Sequence, residues 1–162
     1  MPEAALGLER LRRGLPALWL GLILCVAAIA TPAPFALLAR PDAGRVVARI
    51  LAQEAWLSLA LAVALMLLER RRARLSAQAG QGSVLSGDLL LVLGSLFCTV
   101  AGYFAVQAVL PAARAGQGGL SFGQWHAVSV AFYGLKLLLV AALAWRGTRC
   151  APAPSISRPP FS

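Results

Sequence analysis

Charge is scarce in this sequence. Only 13% of its 162 residues are Asp, Glu, Lys or Arg, about half the share of a typical soluble domain, while 59% are hydrophobic. A chain this short could not hide so much apolar surface from water, which excludes a soluble globule. There is one histidine, His126, and one lysine, Lys136. One histidine cannot form a two-His metal centre within a chain, and no H-E-x-x-H, G-x-S-x-G or Walker loop occurs. A bis-His haem would need a second subunit to supply its other ligand. Methionine is limited to Met1 and Met66, so the soft-ligand clusters that handle copper are missing. The three cysteines, Cys25, Cys98 and Cys150, form no C-x-x-C pair, which excludes a zinc ribbon and a thioredoxin-like site. Cys25 and Cys98 fall in apolar runs as small hydrophobes; Cys150 follows the last run among arginines, where lipidation is conceivable. No enzymatic signature is found, and no cofactor or metal is expected.

What the chain does have is four long apolar runs, about 15–38, 50–68, 88–110 and 123–145, close to the ~20 residues that cross a bilayer. They predict an all-α, polytopic membrane four-helix bundle over 15–146. A basic, weakly amphipathic leader (1–14) precedes it, and a Pro- and Ser-rich tail (147–162) is expected to be disordered. Ala28-Ile29-Ala30 resembles a signal-peptidase site. Apolar character resumes through Phe35, Ala36, Leu37 and Leu38, however, so the first helix is expected to be retained, bent or ended by Pro32 and Pro34. Asp42 is the expected N-cap of an amphipathic prefix running to Arg49, and Pro111 is expected to stop the third helix.

The formal net charge of +9 would suggest nucleic acid in a soluble protein. Here the arginines flank apolar runs, so no nucleic-acid partner is expected. Arg10, Arg12, Arg13, Arg70, Arg71, Arg72, Arg74, Arg146, Arg149 and Arg158 fall on the side of the termini; Arg40, Arg45, Arg49 and Arg114 fall on the other. The positive-inside rule then places both termini in the cytoplasm. Arginine in place of lysine, with abundant Ala, Gly, Leu and Pro, reads as a GC-rich bacterial genome. The expected location is the bacterial inner membrane. The expected partners are the lipid bilayer and either other membrane subunits or further copies of the chain.

Apolar helices have little hydrophobic reason to associate in lipid, so small and polar residues reveal the packed faces. His126, Ser129, Tyr133 and Lys136 repeat at helical spacing on the fourth run; Ser95, Thr99 and Tyr103 do so on the third, with Gly94 and Gly102 permitting close approach. Glu54 and Ser58 lie one turn apart on the second. Counting depth from the ends of the runs brings Glu54, Gln107 and His126 to one level, a candidate polar cluster. The alternative is that Glu54 and His126 stay separate and partly wet. Lys136 lies nearer the membrane middle, where an unpaired charge costs ~3 kcal/mol; Tyr133, Tyr103 or a lipid phosphate are its candidate partners. Trp19, Trp125 and Trp145 fit an aromatic belt near the run ends, and Trp56 is expected inside the bundle.

Several segments together carry a resemblance: Trp19-Leu20-Gly21, Ala33-Pro34, Ala43-Gly44-Arg45-Val46-Val47-x-Arg49, and Phe122-x-x-Trp125-His126-x-x-Ser129. In these the chain resembles the bacterial relatives of eukaryotic transmembrane protein 205, a four-helix membrane family of unknown function, over about residues 16–146. More remotely it resembles the membrane domain of copper-resistance protein D. The resemblance implies an integral inner-membrane protein with Pro34, Arg45, Arg49 and His126 as characteristic positions; a departure is Tyr133, where the family often has asparagine. Small size and little soluble mass lead to a non-enzymatic accessory or structural subunit of a membrane assembly as the expected function. A small transporter or permeation component acting as a homo-oligomer is the alternative, and a haem- or copper-handling membrane protein a lesser one.

Overall fold

The computed structural model describes residues 2–78, 80, 86–117 and 119–149. Six α-helices run through them: α1 (Pro2–Cys25), α2 (Pro32–Leu37), α3 (Arg40–Gln78), α4 (Gly87–Thr99), α5 (Val106–Arg114) and α6 (Phe122–Thr148). Two π-helical turns, Val26–Ala30 and Val100–Ala105, join α1 to α2 and α4 to α5. The result is four rods, all long and apolar enough to cross a membrane. The chain is a small multi-pass integral membrane protein.

The rods form a ring in which α1 and α4 each pack on both α3 and α6. Trp19, Ile23, Ala62, Leu65, Val92, Val140 and Leu143 make the buried core between them, while residues such as Leu18, Leu57, Leu90 and Leu138 point outward, as rods bathed in lipid require.

Several boundaries differ from those expected. The basic leader is not separate from the bundle. It is the first part of α1, stabilised within the helix by Glu9 pairing with Arg12 and Arg13 at the favourable three- and four-residue spacings. Asp42 is not a cap: α3 begins at Arg40, and Asp42 pairs with Arg45 inside the first turn. Pro111 does not end the third rod, because one missing donor is tolerated and the helix continues to Arg114. The true caps are Ser86, which accepts from Leu89 N at 3.2 Å, and Ser121, whose reciprocal pairing with Gln124 closes a capping box. Pro32 does act on the first rod. It has no N–H to continue the ladder, and Thr31 N donates instead to Val26 O, five residues back, at 2.9 Å. The expected tail beyond Arg149, with Cys150 and Arg158, lies outside the described residues.

At the end that carries the termini, charged side chains tie all four rods together. Arg12 Nη1 of α1 donates to Glu69 Oε1 of α3 at 2.8 Å. Arg146 of α6 donates to Asp88 at the start of α4, and Arg72 of α3 approaches the same carboxylate at 3.6 Å. Glu69 is buried, so the Arg12–Glu69 bond is the strong member of a group that is otherwise partly wet.

Candidate functional site

The polar centre of the bundle is an ion pair. Lys136 Nζ of α6 donates to Glu54 Oε1 and Oε2 of α3 at 2.8 and 3.0 Å, and both residues are only 3% exposed. Ser58, one turn along α3, donates its hydroxyl to Glu54 Oε1 and accepts from Trp19 Nε1 of α1 at 2.8 Å. The ammonium stands 4.6 Å from the centroid of the Tyr133 ring, close enough for a cation–π contribution. Tyr133 in turn donates to the Ile23 carbonyl at 3.0 Å. Three rods therefore converge on one carboxylate. Two charges taken out of water are tolerated only with good geometry and further hydrogen bonds, and this arrangement provides both.

Beside the pair lies a cavity of about 40 Å³, lined by Glu54, Thr99, Tyr103, Ser129, Tyr133 and Lys136, with Leu51, Cys98 and Gly102. That is room enough for water. Gly102 sits in the π-helical turn, where Ser129 Oγ donates to its carbonyl at 2.7 Å. π-turns inserted in helices are frequent at functional sites. Most of the expected polar stripe thus meets at this cavity. Ser95 is buried one turn further along α4, its hydroxyl donating to Leu91 O at 2.9 Å; Thr99 likewise donates to Ser95 O at 2.9 Å.

The cluster of Glu54, Gln107 and His126 does not form. Glu54 and Lys136 each lie fourteen residues past the first residue of their helices, Arg40 and Phe122, or about 21 Å at 1.5 Å per residue. His126 is only four residues into α6, about 15 Å nearer the end. Arg45 and Arg49 interrupt the apolar run without ending α3, so Glu54 lies deeper in the helix than the start of the run indicates. Gln107 and His126 are exposed. His126 stacks on Phe122 with ring centroids 6.3 Å apart, and Arg114 lies 5.0 Å above that same Phe122 ring. Arg45 and Arg49 are exposed and Pro34 half-buried, and none of the three lines the cavity beside the pair.

Two tryptophans are exchanged relative to expectation. Trp19 is fully buried and hydrogen-bonded, because α1 starts near the N-terminus and carries Trp19 deep into the bundle. Trp56 is 62% exposed and meets Phe104 edge-on, 5.0 Å between centroids. It lies two residues from both Glu54 and Ser58, hence on the opposite face of α3. Trp19→Phe keeps most of the ring and removes the donor to Ser58. A loss of about 1 kcal/mol is expected in unfolding measured in mixed micelles, and no loss would show that this N–H does not secure the network.

Residues 15–118 match the family described as "Domain of unknown function (DUF4149)"; the match takes in Trp19, Glu54, Ser58 and Gly102 and stops before α6. No curated protein and no solved structure matches. The likeness to transmembrane protein 205 and to copper-resistance protein D therefore rests on the quoted residues alone. With more than half of its length matched, the chain belongs to the DUF4149 family.

Proposed function

We propose that this protein is a non-enzymatic accessory subunit of an assembly in the bacterial inner membrane, with both termini in the cytoplasm. The observation that supports this reading is Trp56. It lies near the middle of α3 yet is 62% exposed, beside Phe104 at the outer edge of the bundle. Tryptophan belongs at the membrane interfaces, and its indole N–H finds no acceptor among lipid tails. A neighbouring membrane subunit offering an acceptor at that depth would meet both requirements. Five of its six acidic side chains, Glu9, Asp42, Glu54, Glu69 and Asp88, are meanwhile paired within the chain.

A photo-crosslinking residue at position 56, compared with one at the outward Leu138, tests the reading in native membranes. A single, stoichiometric partner captured at 56 and not at 138 is the expected result; only lipid at both positions would remove it. Reporter fusions near residue 78 should read as cytoplasmic and fusions in the 115–119 loop as external. The reverse pattern would overturn the orientation. The second reading, a small permeation component working as a homo-oligomer, is favoured by the polar cavity beside Lys136. Purification in mild detergent separates the two, since a homo-oligomer with a wet centre supports permeation and a defined heteromer supports the accessory role.

A further inference from the structure

We propose that Glu54 is a proton-exchange site reached by water from one end of the bundle only, the end that carries His126, with Lys136 as the tethered cation that proton uptake releases. This goes beyond the accessory reading and holds whether or not a partner subunit is found.

Access is asymmetric along the bundle. Toward the termini the pair is followed by Ala62, Leu65, Val92, Val140 and Leu143, all buried, and then by the Arg12–Glu69 bond. That half is dry and clamped. Toward the other end the cavity rises past Tyr133 to Leu51, Tyr103 and Ser129, which are all partly exposed. The lining on that side supplies three hydroxyls and the Gly102 turn, so a water there has the polar partners it needs. The ionisable groups around the carboxylate are Lys136 and Tyr133 of α6 and Cys98 and Tyr103 of the third rod; α1 faces it with Trp19, which does not ionise.

The exchange is a simple addition. A proton delivered by the cavity water forms an O–H bond on one Glu54 oxygen, and the ammonium of Lys136, still protonated, loses its anionic partner. The four-carbon stem of lysine lets Nζ swing over the Tyr133 ring into the cavity. Loss of the proton to the same water restores the pair. The net charge of the site changes by one, in a region where ionisable residues mark proton relays and ion pathways.

Dicyclohexylcarbodiimide, which adds to protonated carboxylic acids in apolar surroundings, tests the first half. The full chain in detergent is treated across a pH series, and labelling of each acid is read by peptide mass spectrometry. Glu54 should be labelled more heavily toward acid pH, since only the protonated acid reacts. In Lys136→Met, labelling of Glu54 at a fixed pH should exceed that of the wild type, since no ammonium occupies its two oxygens. Labelling of Glu54 that is absent or independent of pH, at reagent levels that label it in the unfolded chain, would overturn the proposal. For the second half, Ser129→Cys and Ala62→Cys in a cysteine-free background are treated with a membrane-impermeant thiol reagent in oriented vesicles. Ser129→Cys should react from the His126 side alone and Ala62→Cys from neither. Equal reaction from both sides would defeat one-sided access. If Lys136→Met does not fold, the wild-type pH series and the cysteine pair decide.

Discussion

Lys136→Met will destabilise the bundle by about 3–5 kcal/mol, the penalty typical of a buried pair that has lost one partner. The size follows from what is left behind. Glu54 has both oxygens engaged by Lys136, and without the ammonium only Ser58 still donates to it. Unfolding in mixed micelles measures the loss, and the comparison that gives it meaning is the double variant Glu54→Met with Lys136→Met. Replacing a buried pair by apolar side chains of similar volume is often neutral or stabilising, so the double variant should recover most of what the single one loses. If the single substitution costs less than about 1 kcal/mol, the range of an exposed pair, the pair is solvated like a surface one and its burial does not hold.

Gly102→Ala should cost about 1–3 kcal/mol, at the upper end for one added methyl group. A Cβ at Gly102 would stand 2.4 Å from Cβ of Phe132 and 3.1 Å from its Cγ. Neither atom belongs to the mobile end of a side chain, so the third and fourth rods must move apart. Two comparisons separate this cause from a general intolerance of alanine. Gly94→Ala would bring its Cβ within 3.1 Å of a terminal methyl of Leu139, which can turn away, and should be much milder. Phe132→Ala should not rescue Gly102→Ala, because the clashing Cβ remains in alanine. Rescue by that second substitution would place the obstruction in the ring instead.

The four rods were legible because an apolar run of membrane length has few other uses in a chain this poor in charge. The facing of Glu54, Ser58, Ser129, Tyr133 and Lys136 was also legible, since spacing of three and four residues puts them on common faces whatever the helix boundaries. The partner of Glu54 was not. Pairing depends on relative depth, and depth was counted from the ends of apolar runs. Arg40, Arg45 and Arg49 shorten the second run without shortening the helix, which continues through them at the membrane surface. The same error of origin moved Trp19 to the interface. For Trp56 the signal was available: a residue two positions from Glu54 and from Ser58 cannot share their face. The two π-helical turns have no reliable signature in the sequence beyond Pro32 for the first, and the close approach at Gly102 that accompanies the second is visible only once the rods are packed.

Glu54 and Lys136 are 82 residues apart in the chain, and that separation is also an interval of time. At ~5–20 residues per second, synthesis takes roughly 4–16 s to pass from one to the other. Through that interval α3 and the third rod are made while the carboxylate has no cation to meet it. The first three rods therefore form an incomplete assembly, in which Glu54 still lacks the ammonium that engages both its oxygens. α6 arrives last and brings the only lysine in the protein. The four-rod core is thus chemically distinct from every earlier stage: only with α6 does the carboxylate of Glu54 meet its cation.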